Sequence, residues 1–417
     1  MRGESLKLLV YEHISGGGFS NNHIQTSILC EGFGMLRSII SDLKAAGHYV
    51  TTTLDSRIAK LNPPILADSS IPVFSIEETR TKIKELAKHA DAAYVIAPET
   101  NNTLASFVEL VEKMGIKSLN CSAEAIKKLS NKACFYEIVR KHMPIPETVL
   151  LSVFDDLKKV IKTIRDCLNF PAILKPIDGV SCDGISIVKK EEQVARAIAK
   201  IKAASRCKSY LAQEFIIGDA ASVSLFSTGN NVLPFSLNSQ DIKLQTAEFC
   251  STYNGGVVPF EHPLRQKVFD FAKKFLSSIP GLRGYISMDF VLTDEKAVAI
   301  EVNPRLTTSY IGLRKISSFN PAQAIINVVL KKELPTKVES CGFTYFSKVK
   351  TPIPSTRALQ ETYMMERIVS PPFPVSESNM PSALILSYGD TLQEATVRFS
   401  EAKSCILNSL SRGKQRW

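Results

Sequence analysis

Between Gly284 and Tyr310 the chain reads GYISMDFVLTDEKAVAIEVNPRLTTSY. With period two, Tyr285, Ser287, Asp289 and Val291 fall on one face and Ile286, Met288, Phe290 and Leu292 on the other. Ala297, Ala299, Glu301 and Asn303 likewise share a face opposite Val298, Ile300 and Val302. The pattern is a hairpin turning at Asp294, Glu295 and Lys296. If Thr293 and Ala297 close that turn, Asp289 and Glu301 are direct cross-strand neighbours. Like charges so placed repel, and the strands supply no Lys or Arg between them. Two carboxylates and the amide oxygen of Asn303 are hard ligands suited to Mg2+, an ion that keeps several waters and favours phosphate partners. Taken alone, the same face also reads as a solvated surface with scattered acids.

Upstream, Lys175 ends an apolar strand and is followed by a loop containing Gly179, Ser181 and Gly184. Such a loop can lay backbone N–H groups over phosphates while an ammonium reaches between them. A lysine leaving a strand beside turn glycines is the bland alternative. Glu214, Phe215, Ile216 and Ile217 precede Gly218, a run whose main chain could hold a nucleobase while the carboxylate holds the ribose, or an ordinary strand ending in a turn. Near the N-terminus, Glu12 and His13 open a loop with three glycines at 16–18, and Glu99 stands in a second loop; both follow apolar strands. Ligand-bearing loops sit at the carboxyl ends of strands in parallel α/β sheets.

These residues need elements to hold them. With 417 residues, two or three domains are expected. Strand and helix alternate up to about residue 128, the mark of a parallel sheet covered by helices. Helices are expected over 31–46, 76–89, 103–114 and, capped by Asn131, 132–142. After 145 come a helix over 152–167, strands over 172–175 and 185–188, a helix over 191–204, and then mostly strands to Val302 around one helix at 264–278. A helix over 321–331 ends this part. The remainder begins rich in Pro, Ser and Thr and carries strands near 343–349 and 383–387 and a helix over 392–410.

Composition is that of an ordinary globular chain, 44% hydrophobic and 22% charged. No apolar run reaches the length of a membrane span, and the first residues do not read as a signal peptide, so a cytoplasmic protein with no membrane partner is expected. Nine cysteines include no C-x-x-C pair, which argues against zinc and a disulfide framework. The net charge of +10 comes from dispersed basic residues, with one tight cluster at Arg412, Lys414 and Arg416. That pattern suits anionic small molecules better than nucleic acid.

The order of these features resembles the ATP-grasp superfamily over 129–335: Lys132, Lys175 with its glycine loop, Glu214 before a glycine, Asp289, and Glu301-x-Asn303-Pro304-Arg305. The resemblance implies α/β and α+β architecture: a Rossmann-like N-terminal domain (1–128), a two-lobed ATP-grasp domain (129–338) and a small α+β extension (339–417). It implies that Lys132 and Lys175 bind ATP phosphates beneath the loop Gly179, Ser181 and Gly184, and that Glu214 with the chain through Ile217 holds the nucleoside. Asp289, Glu301 and Asn303 would hold two Mg2+ ions, with Mn2+ as an alternative, and Arg305 would face the transferring phosphoryl group together with catalytic Lys175. Asp289 stands where many members have Glu, and Ser287 where peptide-ligase branches have Arg, which leaves Arg305 or Arg283 for that cationic role.

Tyr11–Phe19, Tyr253–Pro259 and Arg305–Leu313 look like the archaeal tyramine:L-glutamate ligase family of methanofuran biosynthesis. This implies a ligase that joins a small carboxylate to an amine through an acyl phosphate, L-glutamate and tyramine being the pair, and a homodimer. Glu12, His13, Thr307, Thr308 and Tyr310 are then candidate substrate residues, the last three on the acceptor side; as polar residues capping a loop they have an equally ordinary role. Another acid and amine, a bicarbonate-activating carboxylase subunit and a noncatalytic ATP-binding module are the competing readings.

Overall fold

The computed structural model describes residues 5–180, 182–375 and 380–412. Ser181, the side chain of Arg412, and Lys414 and Arg416 lie outside the described residues. The first portion is a five-stranded parallel sheet ordered Ser69–Val73, Tyr49–Asp55, Lys7–Glu12, Ala92–Ile96, Lys117–Ser118. The two central strands are buried almost throughout, as continuous apolar runs covered on both faces should be. Glu12 ends the first of these strands and Glu99 follows the second by three residues, both at the carboxyl end of the sheet. The first helix runs Thr26–Ala45, a turn and a half earlier than periodicity suggested, so Glu31 and Gly32 lie inside it.

Two antiparallel sheets follow. The smaller is ordered Thr148–Ser152, Ser209–Glu214, Ala172–Pro176, Ser186–Val188, and the larger Val232–Ser239, Asp219–Thr228, Arg283–Leu292, Ala297–Asn303. Parallel and antiparallel layers thus succeed one another as expected. Thr148–Ser152 is a strand that the sequence pattern did not show; the helix expected from Ser152 starts at Leu157, with Asp156 accepting from the amide of Lys159. A five-residue run with no polar alternation gives period-two reading nothing to hold.

The last sheet joins Phe343–Lys350, Ser382–Gly389 and Ile368–Ser370 to Gly255–Val258 from the middle of the chain. Gly255 has φ +145°, and a Cβ there would sit 2.0 Å from the carbonyl oxygen of Phe346. At Gly256 the same atom would meet the oxygen of Ser239 at 2.0 Å. The glycine pair therefore lets one strand pass between two sheets. Helix Leu392–Arg412 seals this sheet with Phe399, Ile406 and Leu410 against Ile385 and Val349. Helix Thr356–Tyr363, hidden in the Pro- and Ser-rich stretch, is capped by the Ser355 hydroxyl. No helix among the described residues is long and apolar enough to cross a membrane.

Candidate active site

The hairpin pairs Leu292 with Ala297, Val291 with Val298 and Phe290 with Ala299, then slips by one residue, so that Asp289 faces Glu301 and Ser287 faces Asn303. The connection is one residue longer than a Thr293–Ala297 closure requires, and a β-bulge at Ile300 takes up the difference. Asp289 and Glu301 are opposed as expected, by a different route. The bulge also corrects the facing of the second strand. Ala297 and Ala299 turn into the core with Phe290 and Leu292, and Ile300 joins Glu301 on the cavity wall. The Tyr136 hydroxyl donates to the bulged carbonyl of Ile300 at 2.5 Å.

Lys175 and Lys132 approach this acidic face from the smaller sheet and from helix Lys132–Val139. Lys175 is buried with Nζ 3.1 Å from the Tyr136 hydroxyl, and burial, then the neighbouring Lys132, bring its pKa down to about 7. The Asn131 side chain caps the helix, and Lys132 Nζ donates to the carbonyl of Gly179 at 2.7 Å and pairs with Glu301 at 3.0 Å. Burial would raise the Glu301 pKa, but the two lysines hold it below the ordinary carboxylate range. Asp289 goes the other way, pushed up by burial and by the charge on Glu301. Its Oδ2 accepts from Asn303 Nδ2 at 3.1 Å, while its Oδ1 and the Ser287 hydroxyl are buried without a partner. An orphaned carboxylate oxygen beside a second acid fits a hard divalent cation, which would meet that oxygen and offset the repulsion. Among the described residues no three His, Cys, Asp or Glu side chains cluster as a metal site; the oxygen donors on this face are the Asp289 and Glu301 carboxylates and the Asn303 amide.

These groups open on a cavity of about 740 Å3. Glu214, Phe215, Ile216, Ile217, Ile173, Lys175, Gly179 and Cys182 line it from the smaller sheet and its loops; Asp289, Glu301, Asn303 and Arg305 from the larger; Glu12, Ile14 and Glu31 from the parallel domain; and Thr307 and Thr308 from the loop after the hairpin. Lys132 faces a small adjoining recess with Glu99, Ser130 and Glu301. Gly184 stands behind the wall, at φ +73° against Pro176 and Ala204. Arg305 Nε pairs with Glu99 at 2.9 Å, whereas Arg283 donates to the carbonyl of Asn120 and leans on Glu112. Of the two arginines, Arg305 faces the cavity.

Three expectations change. Tyr310 is wholly buried, its hydroxyl donating to Asp42 at 2.6 Å in a cluster with Arg314, so it does not line the acceptor side. His13 lies behind the wall with Nδ1 2.8 Å from the Tyr11 hydroxyl, and burial brings its pKa down to about 4. Glu12 reaches the cavity, but its oxygens accept from the amides of Ile14 and Ser15 and the Ser15 hydroxyl. It tethers the glycine loop. Sequence reasoning missed Glu31 on the cavity wall and Lys348 behind it, and gave Tyr253, which also lines the cavity, no role of its own. Lys348 pairs with Glu31 at 2.6 Å across 317 positions, a separation no local pattern reveals.

A family model described as an ATP-grasp domain matches residues 129–309, and one described as a pre ATP-grasp 3 domain matches 48–126. The tyramine–L-glutamate ligase of Methanocaldococcus fervens is 29% identical over 339 residues, covering 81% of this chain and 99% of that protein. Among solved structures, the biotin carboxylase–βγ-ATP complex from Campylobacter jejuni aligns with a TM-score of 0.73 at 16% identity, over 95% of this chain and 91% of that one. The biotin carboxylase domain of Hydrogenobacter thermophilus 2-oxoglutarate carboxylase, in complex with MgADP, aligns with a TM-score of 0.70 at 15% identity, over 96% and 90%. At such identities the structural matches speak for the fold.

Proposed function

This chain belongs to the ATP-grasp superfamily, and we propose on that premise that it is an ATP-dependent ligase joining L-glutamate to tyramine through an acyl phosphate. The observation that carries the reaction class is the convergence of Lys132, Lys175 and Arg305 on the paired acids Asp289 and Glu301 at one cavity and its adjoining recess. The pair of substrates is taken from the relative over 81% of the chain.

Nucleotide enters with its base against Phe215–Ile217 and Ile300 and its ribose toward Glu214. Lys175 and Lys132 meet the phosphates, Lys132 exchanging Glu301 for phosphate oxygen. Asp289, Glu301 and Asn303 would hold Mg2+, which neutralises phosphate charge when bound. Arg305, steadied by Glu99, faces the acid's carboxylate. A carboxylate oxygen attacks the γ phosphorus, ADP leaves, and the amine then attacks the acyl carbon and expels phosphate. Lys175 and Arg305 stabilise charge where it develops. Segment 179–184 covers the nucleotide and keeps water from the acyl phosphate.

The test is isotopic. Glutamate labelled with oxygen-18 in its carboxylates should deliver one labelled oxygen to the released phosphate whenever amide forms. Unlabelled phosphate accompanying amide would rule out the acyl phosphate.

A further inference from the structure

Of the buried ion pairs that the function proposed above leaves unused, one touches the cavity wall. Glu31, on the first helix, and Lys348, on the strand Phe343–Lys350, meet at 2.6 Å, with side-chain exposures of 7% and 13%. The Thr308 hydroxyl donates to the other oxygen of Glu31 at 3.0 Å. Glu31, Thr308 and Tyr253 line the cavity, and the Lys348 ammonium lies 5.6 Å from the centre of the Tyr253 ring. Distant stretches of chain thus bring a negative group to the cavity wall and a positive group directly against it, behind Glu31 and Tyr253.

The position is built closely. Beside Glu31, a Cβ on Gly32 would come within 2.7 Å of the Glu12 carboxylate, so the helix rests directly on the end of the first strand. Burial would lower the Lys348 pKa, but Glu31 holds it above the ordinary value, and the ammonium stays charged. A buried ion pair is poor value as a stabilising device, because apolar residues of similar size often serve as well. Glu31 and Lys348 both lie outside the segments matched by the two family models, 129–309 and 48–126. They are thus suited to set what this chain accepts rather than the chemistry its superfamily shares.

We propose that Glu31 and Lys348 bind the α-ammonium and α-carboxylate of an amino-acid substrate, the pair opening to admit the zwitterion. The inference rests on the ligase reading. With the site empty, each charge satisfies the other. With the substrate bound, Glu31 takes its ammonium while Lys348, with Thr308, takes its carboxylate. The site is neutral in both states, so an acid lacking either group leaves one buried charge without its partner. For glutamate, this leaves the γ-carboxylate to face Arg305.

The experiment measures kcat/KM by ADP release with MgATP and saturating tyramine for L-glutamate, glutarate and 4-aminobutanoate. The wild-type chain should prefer glutamate over each analogue by about a hundredfold. Glu31→Gln should bring glutarate, and Lys348→Met should bring 4-aminobutanoate, to within about tenfold of glutamate, with the KM for ATP unchanged. A purely structural pair would lower the melting temperature and slow all three acids in parallel, and unchanged ratios would overturn the assignment. Should a variant fail to fold, the wild-type series decides alone, since equal use of the three acids also overturns it. No ADP with any acid defeats the ligase reading itself, and is told apart from turnover without discrimination.

Discussion

At the scale of the residue, charges brought together against their preference account for the site. Lys175 has a pKa near 7 because burial and Lys132 oppose its protonation. A polyanionic nucleotide reverses that balance. At pH 8, where the free amine is largely neutral, nucleotide binding should take up close to about one proton; below pH 7, where the ammonium is already formed, uptake should fade. Titration calorimetry in buffers of different ionisation enthalpy measures this, and Lys175→Met should abolish it. Arg305→Ala should cut amide formation by at least about a hundredfold with nucleotide affinity nearly kept; unchanged turnover would contradict its role. Tyr310→Phe should cost about 1 kcal/mol of stability in a urea titration and leave kcat/KM in place, since its hydroxyl serves Asp42. A large loss of turnover would return Tyr310 to the acceptor wall. Asp289, Glu301 and Asn303 could be read from the sequence because they lie within one hairpin and obey its period. Tyr310 was misplaced because it opens a helix, where its direction follows from packing on Asp42 and Arg314.

At the scale of the element, regular patterns were legible and their interruptions were not. The hairpin was foreseen, but the longer turn and the bulge at Ile300 were not, because period-two reading has no symbol for an inserted residue. The bulge places Ile300 and Glu301 on one wall, which a regular strand could not do. The motif Tyr253–Pro259 carries part of the family resemblance, and its Gly255 and Gly256 answer to strand packing against Phe346 and Ser239. Gly255→Ala should therefore destabilise the fold by roughly 2 kcal/mol or more, from both the positive φ and the backbone clash. Denaturant unfolding would show it; a variant as stable as the parent would mean that the strands separate freely.

For the whole molecule, the parallel N-terminal sheet followed from the alternation of strand and helix, whereas the two antiparallel lobes followed from the resemblance to the ATP-grasp superfamily. Contacts that close over long separations did not. The last sheet borrows a strand from residues 255–258, and Glu31 finds Lys348 only once all parts are folded. Within the net charge of +10, Lys175 and Arg305 reach the cavity and Lys132 its adjoining recess, each beside an acid that a bound anion could replace. The most direct test of the account mixes the purified chain with ATP, Mg2+ and L-glutamate, with and without tyramine, following ADP together with the mass of the product. ADP release that requires both substrates, accompanied by γ-glutamyl tyramine, is the predicted result. Amine-independent ADP release, or none with any acid and amine, would contradict the assignment as a carboxylate–amine ligase.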